Sequence, residues 1–144
     1  MEIVKNINII QGGRHEDLRG VLTYFNQFCF DEIKRFYFIQ QPNVDTVRAW
    51  QGHKVEEKWF HVVSGAFKII LVKPDDWDNP SENLPFHEFN ISSDENHILF
   101  VPGGYASGFH STIPNSKLMV FSNSSVEESI KDDYRFNKDL WFKW

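Results

Sequence analysis

The stretch that decides the fold is Arg48-Ala49-Trp50-Gln51-Gly52-His53-Lys54, followed three residues later by Lys58-Trp59-Phe60-His61-Val62-Val63-Ser64-Gly65. Both runs are rich in the aromatic and β-branched residues that favour strands, and Ser64-Gly65 is typical of a tight hairpin. Side chains alternate along a strand, so Gln51 and His53 face the same way. Charged groups inside a barrel are costly unless they contact a ligand or each other, so these strands predict a site between sheets.

Comparable short runs recur on both sides of this segment, at the roughly 8–12-residue spacing of all-β proteins. The predicted strands are residues 3–10, 21–26, 35–40, 46–51, 57–64, 66–72, 86–91, 97–101, 106–111 and 117–122. Residues 74–82 are acidic, contain two prolines and predict an exposed loop. Helical cues occur only at 125–133, where a serine cap precedes Glu127 and Glu128. The pattern predicts one all-β domain over 1–144, a jelly roll or closed barrel with at most one short C-terminal helix.

The composition excludes several classes of protein. The 144 residues carry a net charge of -5, with 15 basic residues against 20 acidic ones, so a nucleic-acid partner is not expected. No apolar run approaches the roughly 20 residues of a membrane helix, which predicts a cytoplasmic protein that does not enter a membrane. The single Cys29 excludes an internal disulfide, and its apolar neighbours predict burial. The 16% aromatic content suits either broad sheet faces or a pocket for flat or amphipathic ligands.

Four further stretches share one resemblance with the opening segment. They are Asp17-Leu18-Arg19-Gly20, Ile33-Lys34-Arg35-Phe36-Tyr37, residues 91–109 ending in Pro102-Gly103-Gly104-Tyr105-Ala106-Ser107-Gly108-Phe109, and residues 128–136. Their order and spacing resemble the nucleotide-sugar branch of the cupin superfamily, which contains dTDP-4-dehydrorhamnose 3,5-epimerases and dTDP-4-keto-6-deoxyglucose 3,4-ketoisomerases. The resemblance spans nearly the whole chain. It implies a cupin-type double-stranded β-helix, a homodimer and a role in making deoxysugars for surface polysaccharides such as O-antigen.

The resemblance also identifies where this sequence departs from metal-binding cupins. Those proteins hold a divalent ion with three histidines and a glutamate, and the four positions here read Gln51, His53, Lys58 and Ser107. An ammonium repels a cation, and Gln and Ser are poor substitutes for imidazole. We therefore expect no metal and no other cofactor.

The implied substrate is a dTDP-linked 4-keto-6-deoxyhexose, whose keto group acidifies the neighbouring C–H bonds. A base removes one proton, and a donor stabilises the charge that develops on the keto oxygen. The catalytic residues implied are His53 as base, Tyr37 as donor, Gln51 as a hydrogen-bonding group for the enediol and Lys58 facing the oxyanion. The substrate-binding residues implied are Arg19, Arg48, Trp50, Lys58, Tyr105, Ser107 and Phe109.

Three functions remain open from the sequence. The leading one is a 3,4-ketoisomerase, because a single base such as His53 can move a proton from C3 to C4 on one face. The second is a 3- or 3,5-epimerase, although its base position is the amide Gln51 and its acidic tyrosine is replaced within residues 122–125. The third is a degenerate cupin that binds a sugar nucleotide without chemistry. Asp132, Asp133 and Asp139 are candidates for orienting His53.

Overall fold

The computed structural model describes residues 5–144. It contains twelve β-strands, one short α-helix and one 3-10 turn. The strands are β1 (Asn8–Gln11), β2 (Gly13–Asp17), β3 (Gly20–Tyr24), β4 (Arg35–Gln41), β5 (Arg48–His53), β6 (Lys58–Ser64), β7 (Ala66–Val72), β8 (Phe86–Ser92), β9 (His97–Val101), β10 (Tyr105–Ser111), β11 (Ser116–Ser122) and β12 (Tyr134–Arg135). The helix α1 spans Val126–Ile130, and the 3-10 turn spans Ser93–Glu95. Residues 3 and 4 of the first predicted strand lie outside the described residues.

Ten of the strands form two five-stranded antiparallel sheets that face each other. The strand order is β1-β9-β6-β11-β4 in one sheet and β12-β5-β10-β7-β8 in the other. The alternation of apolar side chains predicts this packing, because every second residue of a strand points into the space between the sheets. The buried core there includes Phe67, Ile69, Leu71, Leu99 and Val120.

The connection between β3 and β4 covers the outer face of one sheet, and the C-terminal residues cover that of the other. On the first sheet, Trp59, Ile98 and Phe121 pack beneath Phe25 and Phe28. On the second sheet, buried Trp50, Ile70, Val72 and Ala106 lie beneath the C-terminal residues Leu140, Trp141, Phe142 and Trp144. The outer faces of both sheets are therefore apolar as well as the inner ones, which accounts for much of the aromatic content.

The hairpin and helix signals of the sequence are confirmed at the residue level. Gly65 joins β6 to β7 with a φ of 79°, a conformation that only glycine adopts at low cost. Ser125 caps α1 by accepting a hydrogen bond from the N–H of Glu128, whose side chain reaches back to the Ser125 N–H. Residues 74–82 form no strand or helix, as predicted.

The hairpin of β2 and β3 projects from the two sheets, and only one of its two strands was predicted from the sequence. The sequence predicts β3 but not β2, whose Gly-Arg-His-Glu-Asp composition has no apolar alternation. The apolar side chains of this hairpin, Leu18, Val21 and Leu22, are exposed. Cys29 is also exposed, so its predicted burial is wrong; the rings of Phe28 and Phe30 on either side of it pack against Phe121. Among the described residues, no helix is long and apolar enough to span a membrane.

Candidate active site

A cavity of about 450 Å³ lies between the sheets, bounded by the edge strand β4 on one side and by β5 and β12 on the other. The first sheet contributes Tyr37, Ile39, Lys58 and Phe60 to its walls. The second sheet contributes Arg48, Gln51, Ser107, Phe109 and Arg135. The cavity therefore has an apolar wall of phenylalanines and a polar side with three basic groups.

Strand register explains why these side chains meet. In the first sheet, Lys58 and Arg35 both pair with Ser122, so they lie in one row across β6, β11 and β4. In the second sheet, Gln51 lies between Ser107 on β10 and Arg135 on β12. The rows face each other across the cavity because residues in one row of a pleated sheet point to the same side.

Lys58 and Gln51 join the two sheets at the polar side of the cavity. The Lys58 ammonium donates a hydrogen bond to Oε1 of Gln51 at 3.2 Å, and the Gln51 amide donates to Asp133 at 3.1 Å. Asp133 also accepts from Nε of Arg135 at 2.8 Å. Partial burial opposes ionisation of Asp133, but the hydrogen bonds from Arg135 and Gln51 lower its pKa overall. The chain of contacts holds the Gln51 amide in one orientation, with its oxygen toward Lys58.

Burial changes the acidity of both titratable groups that line the first sheet's wall. Burial lowers the pKa of Lys58 to about 8, and the positive charges of Arg35 and Arg135 act in the same direction, while Glu56 opposes them. Burial raises the pKa of Tyr37. At neutral pH, Tyr37 is thus a neutral hydrogen-bond donor, and Lys58 is mostly protonated but has a pKa close to the value that suits proton transfer.

His53 is buried, 4% exposed, and lies outside the cavity lining. Its Nδ1 is 2.7 Å from the main-chain oxygen of Asp132. Of the three aspartates considered from the sequence, Asp132 is therefore the one that orients His53, and it does so through its carbonyl group. The Nε2 atom points toward Glu56, at 3.8 Å from Oε2. The expectation that His53 meets a substrate directly does not match this position.

Three other predicted binding residues also lie away from the cavity or are engaged elsewhere. Arg19 is exposed at the tip of the β2–β3 hairpin and pairs with Asp17 at 2.6 Å. Tyr105 packs against the core between the sheets. Trp50 borders the cavity, but its ring packs on Trp141, and its Nε1 donates to the oxygen of Leu140 at 2.8 Å. That ring is not free to stack on a base.

Glu56 and Arg135 belong to the site but were not predicted from the sequence, and Asp133, predicted as a candidate partner of His53, contacts Gln51 instead. Glu56 is in the turn between β5 and β6, where a glutamate predicts solvent exposure, yet its side chain is 0% exposed. Arg135 comes from a two-residue strand that no sequence pattern indicates. A signal for Glu56 does exist in retrospect, since it lies three residues after His53 and two before Lys58.

The residues at the metal-binding positions of cupins do not fit a metal ion here. The ammonium of Lys58 faces the Gln51 amide, and the one imidazole of the set, His53, is turned toward Glu56. Within residues 5–144 no group of three His, Cys, Asp or Glu side chains has the arrangement of a metal site. The donor set instead suits anions and a polar organic substrate.

No protein-family model and no curated protein sequence matches the chain. Solved structures do match its fold. A variant of the 3,4-ketoisomerase QdtA from Thermoanaerobacterium thermosaccharolyticum, in complex with TDP-4-keto-6-deoxyglucose, has 22% identity and a TM-score of 0.72, covering 93% of this chain and 90% of that one.

Two epimerase structures are similar to a comparable degree. The dTDP-4-dehydrorhamnose 3,5-epimerase from Bacillus anthracis, with TDP and PPi bound, has 19% identity and a TM-score of 0.75, covering 96% of this chain and 85% of that one. The 3'-monoepimerase ChmJ from Streptomyces bikiniensis, in complex with dTDP-quinovose, has 13% identity and a TM-score of 0.74, covering 92% and 70%. These likenesses confirm the predicted cupin-type jelly-roll fold.

Proposed function

We propose that the protein is a nucleotide-sugar cupin that isomerises a dTDP-linked 4-keto-6-deoxyhexose, and that its reaction is the 3,4-keto isomerisation. The observation that carries the proposal is the Lys58–Gln51 pair, 3.2 Å apart, in a cavity whose exposed side carries Arg48 and Arg135. The fold supports it too, since proteins that share the fold have been solved with TDP or TDP-sugars bound.

The arginines suit the diphosphate of such a substrate. Arg48 and Arg135 present planar forks that bind phosphate oxygens through paired hydrogen bonds. The sugar then extends past Phe60 and Phe109 toward Lys58. An apolar wall at that point suits a 6-deoxy sugar, whose methyl group gains from leaving water.

The proton transfer follows from the chemistry of the cavity residues. The neutral Lys58 amine takes the proton from C3, the C3–H electron pair forms a C3=C4 double bond, and the C4 oxygen receives a proton from Tyr37, which gives the enediol. The enediol then takes the proton from Lys58 at C4, while the C3 hydroxyl returns its proton to Tyr37 and becomes the C3 ketone. The Gln51 amide, already oriented by Asp133, hydrogen-bonds the enediol oxygens.

The set of groups in the cavity favours ketoisomerisation over epimerisation. An epimerase must remove a proton from one face of the ring and return one to the other face, which requires two proton-transfer groups on opposite sides. A ketoisomerase that works on one face requires a single base. Within residues 5–144, Lys58 is the one amine that lines the cavity, and its lowered pKa suits that role.

A non-catalytic sugar-nucleotide-binding protein is the second candidate, and one observation favours it. Among residues 5–144 the cavity lining contains no carboxylate and no imidazole. Binding of the nucleotide by Arg48 and Arg135 therefore needs no base, while chemistry has Lys58 as its one available base.

The deciding experiment is incubation of the protein with dTDP-4-keto-6-deoxyglucose in deuterated water, followed by NMR of the sugar. Deuterium at C4 with the keto group at C3 is the result we expect. Deuterium at C3 or C5 with the keto group still at C4 would show an epimerase, and saturable binding without deuterium would show a binding protein. Lys58→Met should abolish the label. Lys68→Met is the matched control, because Lys68 lies near the ring of Phe142 on the outer face of the second sheet.

The same proposal includes a homodimer. The edge strand β4 exposes Phe36 and Phe38, and the β2–β3 hairpin exposes Leu18 and Leu22 beside Arg19. Edge strands with exposed apolar side chains favour pairing with a second chain. Light scattering coupled to size exclusion should give twice the mass of the chain, and Phe38→Lys should reduce it to the mass of one chain.

A further inference from the structure

Glu56 is a buried carboxylate surrounded by cations. Its side chain is 0% exposed, and neither oxygen has a hydrogen-bond partner within residues 5–144. Three positively charged or protonatable groups approach its Oε2 atom: Arg35 from β4 at 3.5 Å, His53 from β5 at 3.8 Å and Lys58 from β6 at 3.8 Å. A buried carboxylate that lacks direct hydrogen bonds is costly, so its position between these three groups requires an explanation.

The hydrogen bond of His53 determines which of its nitrogens carries a proton. Nδ1 lies 2.7 Å from the Asp132 carbonyl oxygen, which only accepts hydrogen bonds, so Nδ1 carries the hydrogen. In the neutral ring the lone pair is then on Nε2, which has no hydrogen-bond partner among the described residues and faces Oε2 of Glu56. Two buried acceptors therefore face each other, and a proton placed between them stabilises both.

We propose that Glu56 relays a proton between Lys58 in the cavity and His53 behind it, so that the imidazole stores the proton that Lys58 must release to act as a base. The Lys58 Nζ–H bond breaks as a Glu56 O–H bond forms, and that bond breaks as the His53 Nε2–H bond forms. Both gaps, at 3.8 Å, are about 1 Å longer than a hydrogen bond. The net charge of the cluster does not change, so no additional charge is buried.

The surroundings of the two end groups favour a single shared proton. Burial and the charge of Lys58 lower the pKa of His53, whereas Glu56 and Asp132 raise it. When Lys58 loses its proton, one of the effects that lower the pKa of His53 disappears. The pKa of Lys58 is also lowered by the charges of Arg35 and Arg135 and raised by that of Asp133. Glu56 is thus a positioning residue, which acts through Lys58 and His53.

The first test is independent of turnover and uses nitrogen NMR of the His53 ring over a pH titration. Neutral His53 should carry its hydrogen on Nδ1. Its pKa should rise in Lys58→Met and fall in Glu56→Gln. Glu57→Gln is the control, because Glu57 is also buried but contacts Lys5 and Asn123 instead, and it should leave the His53 titration unchanged. A hydrogen on Nε2 of the neutral ring, or an unchanged titration in Glu56→Gln, would overturn the relay.

The second test rests on the proposed function and measures deuterium incorporation into the sugar against pH. If Lys58 worked alone, Glu56→Gln would lower the pKa of Lys58 and raise the rate at neutral pH. The relay predicts instead that Glu56→Gln and His53→Asn each lower the rate at neutral pH by at least about tenfold, and that the double variant loses no more than either single one. Additive losses, or a faster Glu56→Gln protein, would refute the relay. A wild-type protein that incorporates no deuterium would refute the proposed function, and the NMR titration would still decide the relay.

Discussion

The Asp132 carbonyl oxygen lies 2.7 Å from the His53 ring, and the same residue holds the turn that carries Glu56. Its carboxylate accepts the main-chain N–H groups of Lys54, Val55 and Glu56 at 2.7, 2.9 and 2.8 Å. Asp132, from the C-terminal segment, therefore orients the imidazole of His53 and also holds the turn between β5 and β6.

Removal of the Asp132 carboxylate should destabilise the fold. We expect Asp132→Ala to lower the free energy of unfolding by about 2–4 kcal/mol, because three main-chain donors lose a charged acceptor. Asp132→Asn keeps one acceptor oxygen and should lose less. Asp139→Asn, at an exposed position, should change stability by less than about 0.5 kcal/mol. Urea unfolding followed by tryptophan fluorescence measures all three, and equal losses in Asp132→Ala and Asp139→Asn would contradict this account.

Lys58 should make stability depend on alkaline pH. Its pKa is about 8 in the folded protein against 10.5 in the unfolded chain, so the unfolded chain binds more protons between these values. The stability of the wild-type protein should therefore rise with pH from 8 to about 10.5, by on the order of 3 kcal/mol in total. Tyr37 makes stability fall with rising pH above pH 10, because burial raises its pKa and the unfolded chain loses this proton first.

Lys58→Met isolates this effect, since both proteins keep Tyr37. Urea unfolding at pH 7, 8, 9 and 10 should show a smaller rise in the variant. Parallel curves for the two proteins would mean that Lys58 is not desolvated in the folded state.

Arg48 and Arg135 should bind the diphosphate of the nucleotide. Arg48→Ala and Arg135→Ala should each weaken binding of dTDP by about tenfold or more, because each removes a charged hydrogen-bond donor. Binding of thymidine, which has no phosphate, should change little. Titration calorimetry gives both constants. Arg14→Ala is the control, because Arg14 pairs with Glu16 on the exposed hairpin. An equal loss of thymidine affinity would assign these arginines to the shape of the cavity instead.

How far the sequence predicts the fold depends on how strongly each strand buries one face. The bounds of β7 and β9 agree with the prediction at both ends, because each is an apolar run that starts or stops at a turn residue. Strand β2 and strand β12 were missed since β2 has no apolar alternation and β12 has only two residues. Strand β2 pairs with β3 of its own hairpin through the main chain, whereas β12 pairs with β5, more than eighty residues away in sequence.

The site was predicted less completely than the fold for a related reason. Lys58 and Gln51 were both predicted as site residues because they lie only seven residues apart in one stretch of sequence. Asp133 and Arg135 reach Gln51 from more than eighty residues away, and no local pattern reports that contact. The main-chain N–H of Glu56 donates to Asp132, 76 residues away in sequence, and this contact helps to hold the turn in which Glu56 is buried. Its burial follows from the tertiary fold, whereas its residue type alone predicts exposure.

The C-terminal residues should be required for stability, because they cover the outer face of the second sheet. Trp50 is 1% exposed, and its ring lies beneath Trp141 and Trp144. Removal of residues 140–144 should lower the free energy of unfolding by about 3 kcal/mol or more, since it exposes a buried indole and its aliphatic neighbours. Trp50→Phe loses only the hydrogen bond to Leu140 and some packing, so we expect about 1–2 kcal/mol. Lys143→Ala should be neutral. If the shortened chain unfolds at the same urea concentration as the full one, the C-terminal residues do not stabilise this face of the barrel.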